Sequence, residues 1–340
     1  MRGYLEASSF PLIEIGGVPI PRVIMGHLPF VGESYQGIEK NWEYAEKFSY
    51  VENIIEVLKK AVNSYGVTAM AVMPTTLKEQ SEPLLNAILK TIKITDIDLG
   101  IIPCIQIPLT IDGVRVDAYR RWVTYYSIEK KIGEVEIYEK IIKDPILLCR
   151  EGWGKKFPEA LCQLRPYSDK EIEQIKIDYE GLDETLSCFD GFKILLAEPG
   201  SESDLLAMTG RTDLLIEFAD WLRDKLKCPI VIGTHHAGLT IPILEKSEIA
   251  IAGYVTPVNK RGVMMFPTQR LAFEAIRQSA KKIIATKPLA GGRISPDEAF
   301  RYIYGTVGAD ACMVGVASLK EVDEDFSSVK RTLKINKTPE

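Results

Sequence analysis

A (β/α)₈ barrel, an α/β fold of eight parallel strands, is the architecture this 340-residue sequence predicts, on three observations. Eight short apolar runs recur along the chain, each followed by a stretch with helical spacing of apolar residues. The last two such units, residues 281–326, read as strand, glycine turn, helix, strand, short turn, helix. No G-x-G-x-x-G turn follows the first run, whereas the competing doubly wound open sheet is expected to carry one.

The elements follow in order. LIEIGGVPIPR (residues 12–22) alternates apolar and polar residues around Gly16-Gly17 and suits a hairpin. Val23–Gly26 is the first barrel strand and ends at His27. Ser49 and Glu52 have capping-box spacing, and Val51, Ile54, Ile55, Leu58 and Val62 continue at helical intervals. Val67–Met73 is the second strand, stopped by Pro74. Thr76-Leu77-Lys78-Glu79 then reads as the start of a helix reaching about Lys93, with Pro83 near its first turn. Leu99–Ile107 is the third strand.

Residues 110–190 interrupt the pattern with a long, charged and mainly helical stretch, marked by a start signal at Ser168–Glu171. A structureless loop of that length does not suit a compact domain. The stretch reads as a helical insertion between strands 3 and 4, inside a single barrel domain spanning 1–340, and placed to cover the barrel mouth. The remaining strands are Phe192–Ala197, Pro229–Gly233, Ile251–Thr256, Ile283–Lys287 and Ala311–Val316. Ser295-Pro296-Asp297-Glu298 and Ser318-Leu319-Lys320-Glu321 both have capping-box spacing at helix starts.

Composition narrows the function. A net charge of −5 with no long basic run gives no reason to expect nucleic acid or a membrane surface. The amino terminus lacks the apolar core of a signal peptide, and no segment approaches the roughly 18 apolar residues of a membrane span. Six scattered cysteines form neither a disulfide framework nor a metal-ligand pattern. The expectation is a cytoplasmic protein acting on a small molecule, with no oligomeric state indicated.

Chemistry-bearing residues collect at strand carboxyl ends, where barrel enzymes place their sites. His27 follows strand 1, Glu198 strand 4, His235 and His236 strand 5, and Lys287 ends strand 7. His27, Glu198 and His235 offer a set for a divalent metal such as Zn²⁺ in a hydrolase or lyase. Glu198 with His235 or His236 equally suits proton transfer, or all of them serve as hydrogen-bonded plugs. Lys287 suits a Schiff base, or neutralises an anion. The backbone of Gly291, Gly292 and Gly315 with Arg293 and Ser318 makes an anion site beside two helix N-termini, fitting a phosphorylated or otherwise anionic ligand. Asn259, Lys260 and Arg261 add charge to that rim. Tyr35, Tyr44 and Tyr50 are candidate phenols, and Met264–Phe266 a candidate apolar wall.

The chain resembles the aldo-keto reductase-like barrels in LIEIGGVPIPRVIMG, KPLAGGRISPDEAFRY and CMVGVASLKEVDEDF, and more weakly in PIVIGTHHAG and GYVTPVNKRG. The likeness implies a hairpin plugging the barrel bottom and a nicotinamide cofactor, NAD(P), whose adenosine phosphate lies at the strand-8 turn. Asp323, Glu324 and Asp325 stand where a basic residue would pair the extra phosphate of NADP, so NAD is favoured. The family's Asp and Tyr are absent from VTAMAVMPTTLKEQ, its Lys from LGIIPCIQIP, where Cys104 and Gln106 stand, and its His from ILLAEPG, where Glu198 stands. The expected functions are a divergent oxidoreductase with a non-standard site, a lyase or hydrolase on the same barrel, or a barrel that only binds a phosphorylated ligand.

Overall fold

Eight parallel strands close on themselves in the computed structural model, which describes residues 10–133 and 136–335. The barrel strands are Val23–Gly26, Ala69–Val72, Gly100–Ile105, Glu198–Pro199, Val231–Gly233, Gly253–Pro257, Lys282–Thr286 and Ala311–Gly315, adjacent in that order. The fourth and fifth strands complete the circle through Ala197, which donates to the Pro229 carbonyl at 3.0 Å and accepts from the Val231 N–H at 2.9 Å. The strands are mostly buried runs, as a sheet covered by helices on its outer face requires.

The hairpin of Leu12–Ile15 and Val18–Pro21 plugs the barrel floor because its apolar face points inward. Ile15 and Ile20 are wholly buried against Ile24, Ala69, Ile102, Leu196, Val231, Val255, Ile284 and Ala311, which come from all eight strand segments. Burying each such isoleucine is worth about 1.5–3 kcal/mol. Gly16 turns the hairpin at φ +59°, and a Cβ there would lie 2.5 Å from the Pro229 side chain.

Several expected boundaries shift. The fourth strand pairs at Glu198–Pro199, with only single bridges at Ile194 and Ala197 ahead of it. Ser49 ends a helix over Ile38–Phe48 that the sequence reading lacked, and the next helix, Val51–Tyr65, starts without a side-chain cap. Thr76–Glu79 lies outside the helix, which begins at Ser81 and keeps Pro83 in its first turn. Ser295 precedes Pro296 as expected but makes no cap bond, since Asp297 pairs with Arg331 and Glu298 with Lys260. Ser168 and Glu171 do close a full capping box.

Between the third and fourth strands stand helices Ala118–Glu129, Ile137–Lys143 and Trp153–Gln163 and a small antiparallel sheet, which the sequence reading did not include. This segment is tied to the loops after strands 5 and 6. Buried Asp144 accepts the Met264 N–H at 2.7 Å, and Lys140 donates to the Gly262 carbonyl. No helix among the described residues is long and apolar enough to cross a membrane.

Candidate active site

A cavity of about 1240 Å³ opens at the carboxyl ends of the strands. His27, Glu198, His235 and Lys287 all border it, as do Gly291, Gly292, Arg293 and Gly315. The inserted segment overhangs it through Ile146, Cys149 and Arg150.

Glu198 owes its place to the ladder. It stands opposite Cys104 in the pairing of strands 3 and 4, so carboxyl and thiol emerge together. Burial pushes the Glu198 carboxyl up to about 7, against the pull of the Lys287 cation and the Cys104 hydrogen bond. Burial and the neighbouring Glu198 and Glu202 keep the Cys104 thiol well above its ordinary value, so it stays protonated. Glu198 thus exchanges a proton near neutrality, the property a general acid or base needs.

Lys287, at φ +54°, directs its Nζ to His235 Nε2 at 3.2 Å and over the Tyr35 ring at 5.1 Å. Burial, then Lys287 and Arg150, push the His235 imidazole well below its usual range. It is therefore neutral, with Nε2 accepting from the ammonium and the proton assigned to Nδ1. Asp204 holds the loop, accepting the His235 N–H at 2.9 Å and the Thr240 hydroxyl at 2.7 Å. His27 is also neutral, lowered to about 4 mainly by burial, and neither of its ring nitrogens has a hydrogen-bond partner in the structure.

Adjacent His236 goes elsewhere. Its Nδ1 lies 2.5 Å from Glu129 Oε1, both groups are buried, and Trp122, Tyr125 and Phe266 surround the ring. Burial opposes its protonation, but Glu129 outweighs this and raises the imidazole. His236 therefore pins the insertion to the barrel and takes no part in the mouth. Among the described residues, no three His, Cys, Asp or Glu side chains are grouped to hold a metal ion, and His235 Nε2 already faces the lysine.

Arg150 was not singled out by sequence, because one arginine in a charged insertion carries no local signal. Its chain lies near the Trp122 and Trp153 rings, with the guanidinium carbon 5.8 and 5.5 Å from their centroids. Neither Arg150 nor Lys287 has a carboxylate partner among the described residues. By contrast, Lys78 is paired with Glu33 at 2.6 Å and Arg121 with Glu202.

The turns after strands 7 and 8 use their own donors. Arg293 donates from Nη1 to the carbonyls of Tyr35, Ala290 and Gly291, at 3.1, 3.0 and 3.3 Å, and from Nη2 to that of Pro145 at 3.4 Å. The Ala317 N–H donates to the Glu321 carboxylate at 2.7 Å, and the Glu321 N–H to the Ser318 hydroxyl at 3.2 Å. Ser318 does not border the cavity, whereas Glu321, Glu324 and Asp325 do. Lys260 pairs with Glu298, and Asn259 closes its own loop onto Val263. A dinucleotide phosphate at this turn would meet the carboxylates of Glu321, Glu324 and Asp325, beside an Ala317 N–H and a Ser318 hydroxyl that are already engaged. The residues present therefore do not fit the nicotinamide cofactor that the resemblance implies. Fluorescence titration with NADH and with NADPH is expected to show no saturable binding at micromolar concentration; a micromolar Kd for either would contradict this account.

No protein-family model and no curated protein matches the sequence. Two solved structures from Pseudomonas aeruginosa, both assigned to the aldo-keto reductases, are similar over 95% of this chain and 95% of their own. Their TM-score is 0.55 in each case, at 13% and 12% identity. Such identity speaks for architecture, since one barrel hosts many chemistries. The chain has the (β/α)₈ barrel fold of the aldo-keto reductases.

Proposed function

We propose that the chain is an enzyme that moves a proton on a small carbonyl compound bearing an anionic group, as an isomerase or lyase does, with Glu198 as the acid–base residue. The observation that carries this reading is the Glu198 carboxyl, held at about 7 inside a cavity that it shares with Lys287, His235 and His27. A carboxyl at that value is an efficient base at neutral pH and an efficient acid once it has taken the proton.

The roles follow from the groups. Lys287 and Arg150 lack carboxylate partners and attract the anionic end of the substrate. Neutral His235 steers the Lys287 ammonium by accepting from it. His27 offers a ring nitrogen to the substrate carbonyl oxygen, which would satisfy an otherwise unpaired buried group. Glu198 removes a proton from the carbon beside the carbonyl and returns it to the same or the neighbouring atom, so the step is balanced without an external oxidant or reductant.

The test is proton exchange in D₂O, followed by NMR, over a panel of small 2-oxo and hydroxycarbonyl carboxylates and phosphates. At least one compound is expected to lose its α-proton signal in the presence of protein. Lys287→Met should raise KM for that compound by about tenfold or more, as the loss of a charge-assisted bond implies. No exchange across the panel, together with reduction of the same compounds by NADH or NADPH, would replace this reading with hydride transfer.

A further inference from the structure

The strand-8 rim has features that the proton-transfer chemistry does not use. Helix Leu319–Ile335 carries Glu321, Glu324 and Asp325, whose spacing puts them on one face, and all three border the cavity. Asp325 is only 4% exposed, yet its carboxyl group has no hydrogen-bond partner among the described residues. A second, independent observation comes from helix Ile38–Phe48. Its Tyr44 is also 4% exposed and borders the same cavity, and its hydroxyl has no hydrogen-bond partner among the described residues. Burial and Glu321 together push the Tyr44 phenol up to about 12, and burial with Glu321 and Glu324 pushes Asp325 up to about 7.

Buried polar groups open toward a cavity are completed by what binds there. The charge on this wall selects the sign of the ligand. Lys320 lies 3.6 Å from Glu324 and Lys47 donates to the Ala317 carbonyl at 2.7 Å, whereas neither Glu321 nor Asp325 has a lysine or arginine within ion-pair distance among the described residues. The wall therefore repels anions and attracts a cation. A metal ion is disfavoured, because no three carboxylates among the described residues are grouped at ligand geometry. An ammonium group needs only acceptors reached from different sides.

We infer that the strand-8 rim is a subsite for an organic ammonium group, with Asp325, Glu321 and the Tyr44 oxygen accepting its N–H bonds. Placing that ammonium on the same molecule as the reacting carbonyl rests on the function proposed above and makes the substrate an amine-bearing anionic carbonyl compound. The subsite itself is read by binding alone.

The experiment is ligand-observed NMR with n-butylammonium at millimolar concentration on the full chain, with Mg²⁺ and inorganic phosphate as competitors. Saturable binding is expected, weakened about tenfold in Asp325→Asn and unchanged in Glu198→Gln. Neither competitor should displace it. Absence of saturable binding, equal binding in Asp325→Asn, or displacement by Mg²⁺ or phosphate would overturn the assignment. Should Asp325→Asn fail to fold by circular dichroism, Glu321→Gln is read by the same criterion. If n-butylammonium binds as expected while Glu198→Gln leaves proton exchange intact, the subsite stands and the proposed reaction falls. The reverse pattern removes the subsite alone.

Discussion

Glu198→Gln is expected to slow proton exchange by about 10²- to 10⁴-fold, the range a positioned acid–base group supplies. The amide keeps the shape and the Cys104 contact but carries no exchangeable charge. In the parent protein the ionised carboxyl is the base, so the exchange rate should rise with pH through about 7 and then level. That limb should vanish in the variant. Stability should move the other way. The folded-state value of about 7 lies above the ordinary 4.5, so the folded protein holds this proton over a window in which the unfolded chain has lost it. The parent therefore loses stability as pH rises from about 4.5 to about 7, and Glu198→Gln should melt higher than the parent above pH 7. A variant with full exchange activity would remove Glu198 from the mechanism.

Glu129→Ala is expected to be the most destabilising single change, costing about 3–5 kcal/mol because it strands a buried imidazole that had a carboxylate partner. Glu129 and His236 are both buried, and Glu129 stands at the end of the inserted helix Ala118–Glu129. Removing it should free the insertion first, so proteolysis within residues 118–163 should precede cleavage of the barrel. The sign with pH is set by His236. Its folded-state value is raised above 6.5, so the pair's stabilisation is complete below 6.5 and is lost as pH rises through that folded-state value. The cost of Glu129→Ala, measured by denaturant unfolding, should accordingly shrink in alkaline buffer. Replacing both partners by leucine should recover much of the loss, since paired apolar groups need no compensation. A single-variant cost below about 1 kcal/mol would show that the pair behaves like an exposed one.

Strand periodicity and strand ends were legible in the sequence because they depend on local apolar runs and the turns that stop them. That was enough for the barrel, the hairpin plug and the presence of His27, Glu198, His235 and Lys287 on one face. Helix starts were read less well. Ser49–Glu52 and Thr76–Glu79 have capping spacing, yet one serine ends a preceding helix and the other segment stays outside the next. Spacing offers a cap, but the path of the chain decides whether it is used.

The chemistry of the mouth was decided by tertiary contacts. His235 and His236 are neighbours in the chain, but one faces a lysine from strand 7 and the other a carboxylate from the insertion. Consecutive side chains diverge in direction, and their partners lie 52 and 107 residues away. Arg293 and Ser318 looked like phosphate donors in the sequence, and the fold turned their polar groups onto carbonyls and the Glu321 amide. By itself the sequence determined the barrel and the place of His27, Glu198, His235 and Lys287 at strand ends, because both are set by short-range pattern. Only the tertiary structure decided which of those residues are buried, paired or left open to a ligand, because desolvation and charge pairing depend on neighbours that the chain brings together from a distance.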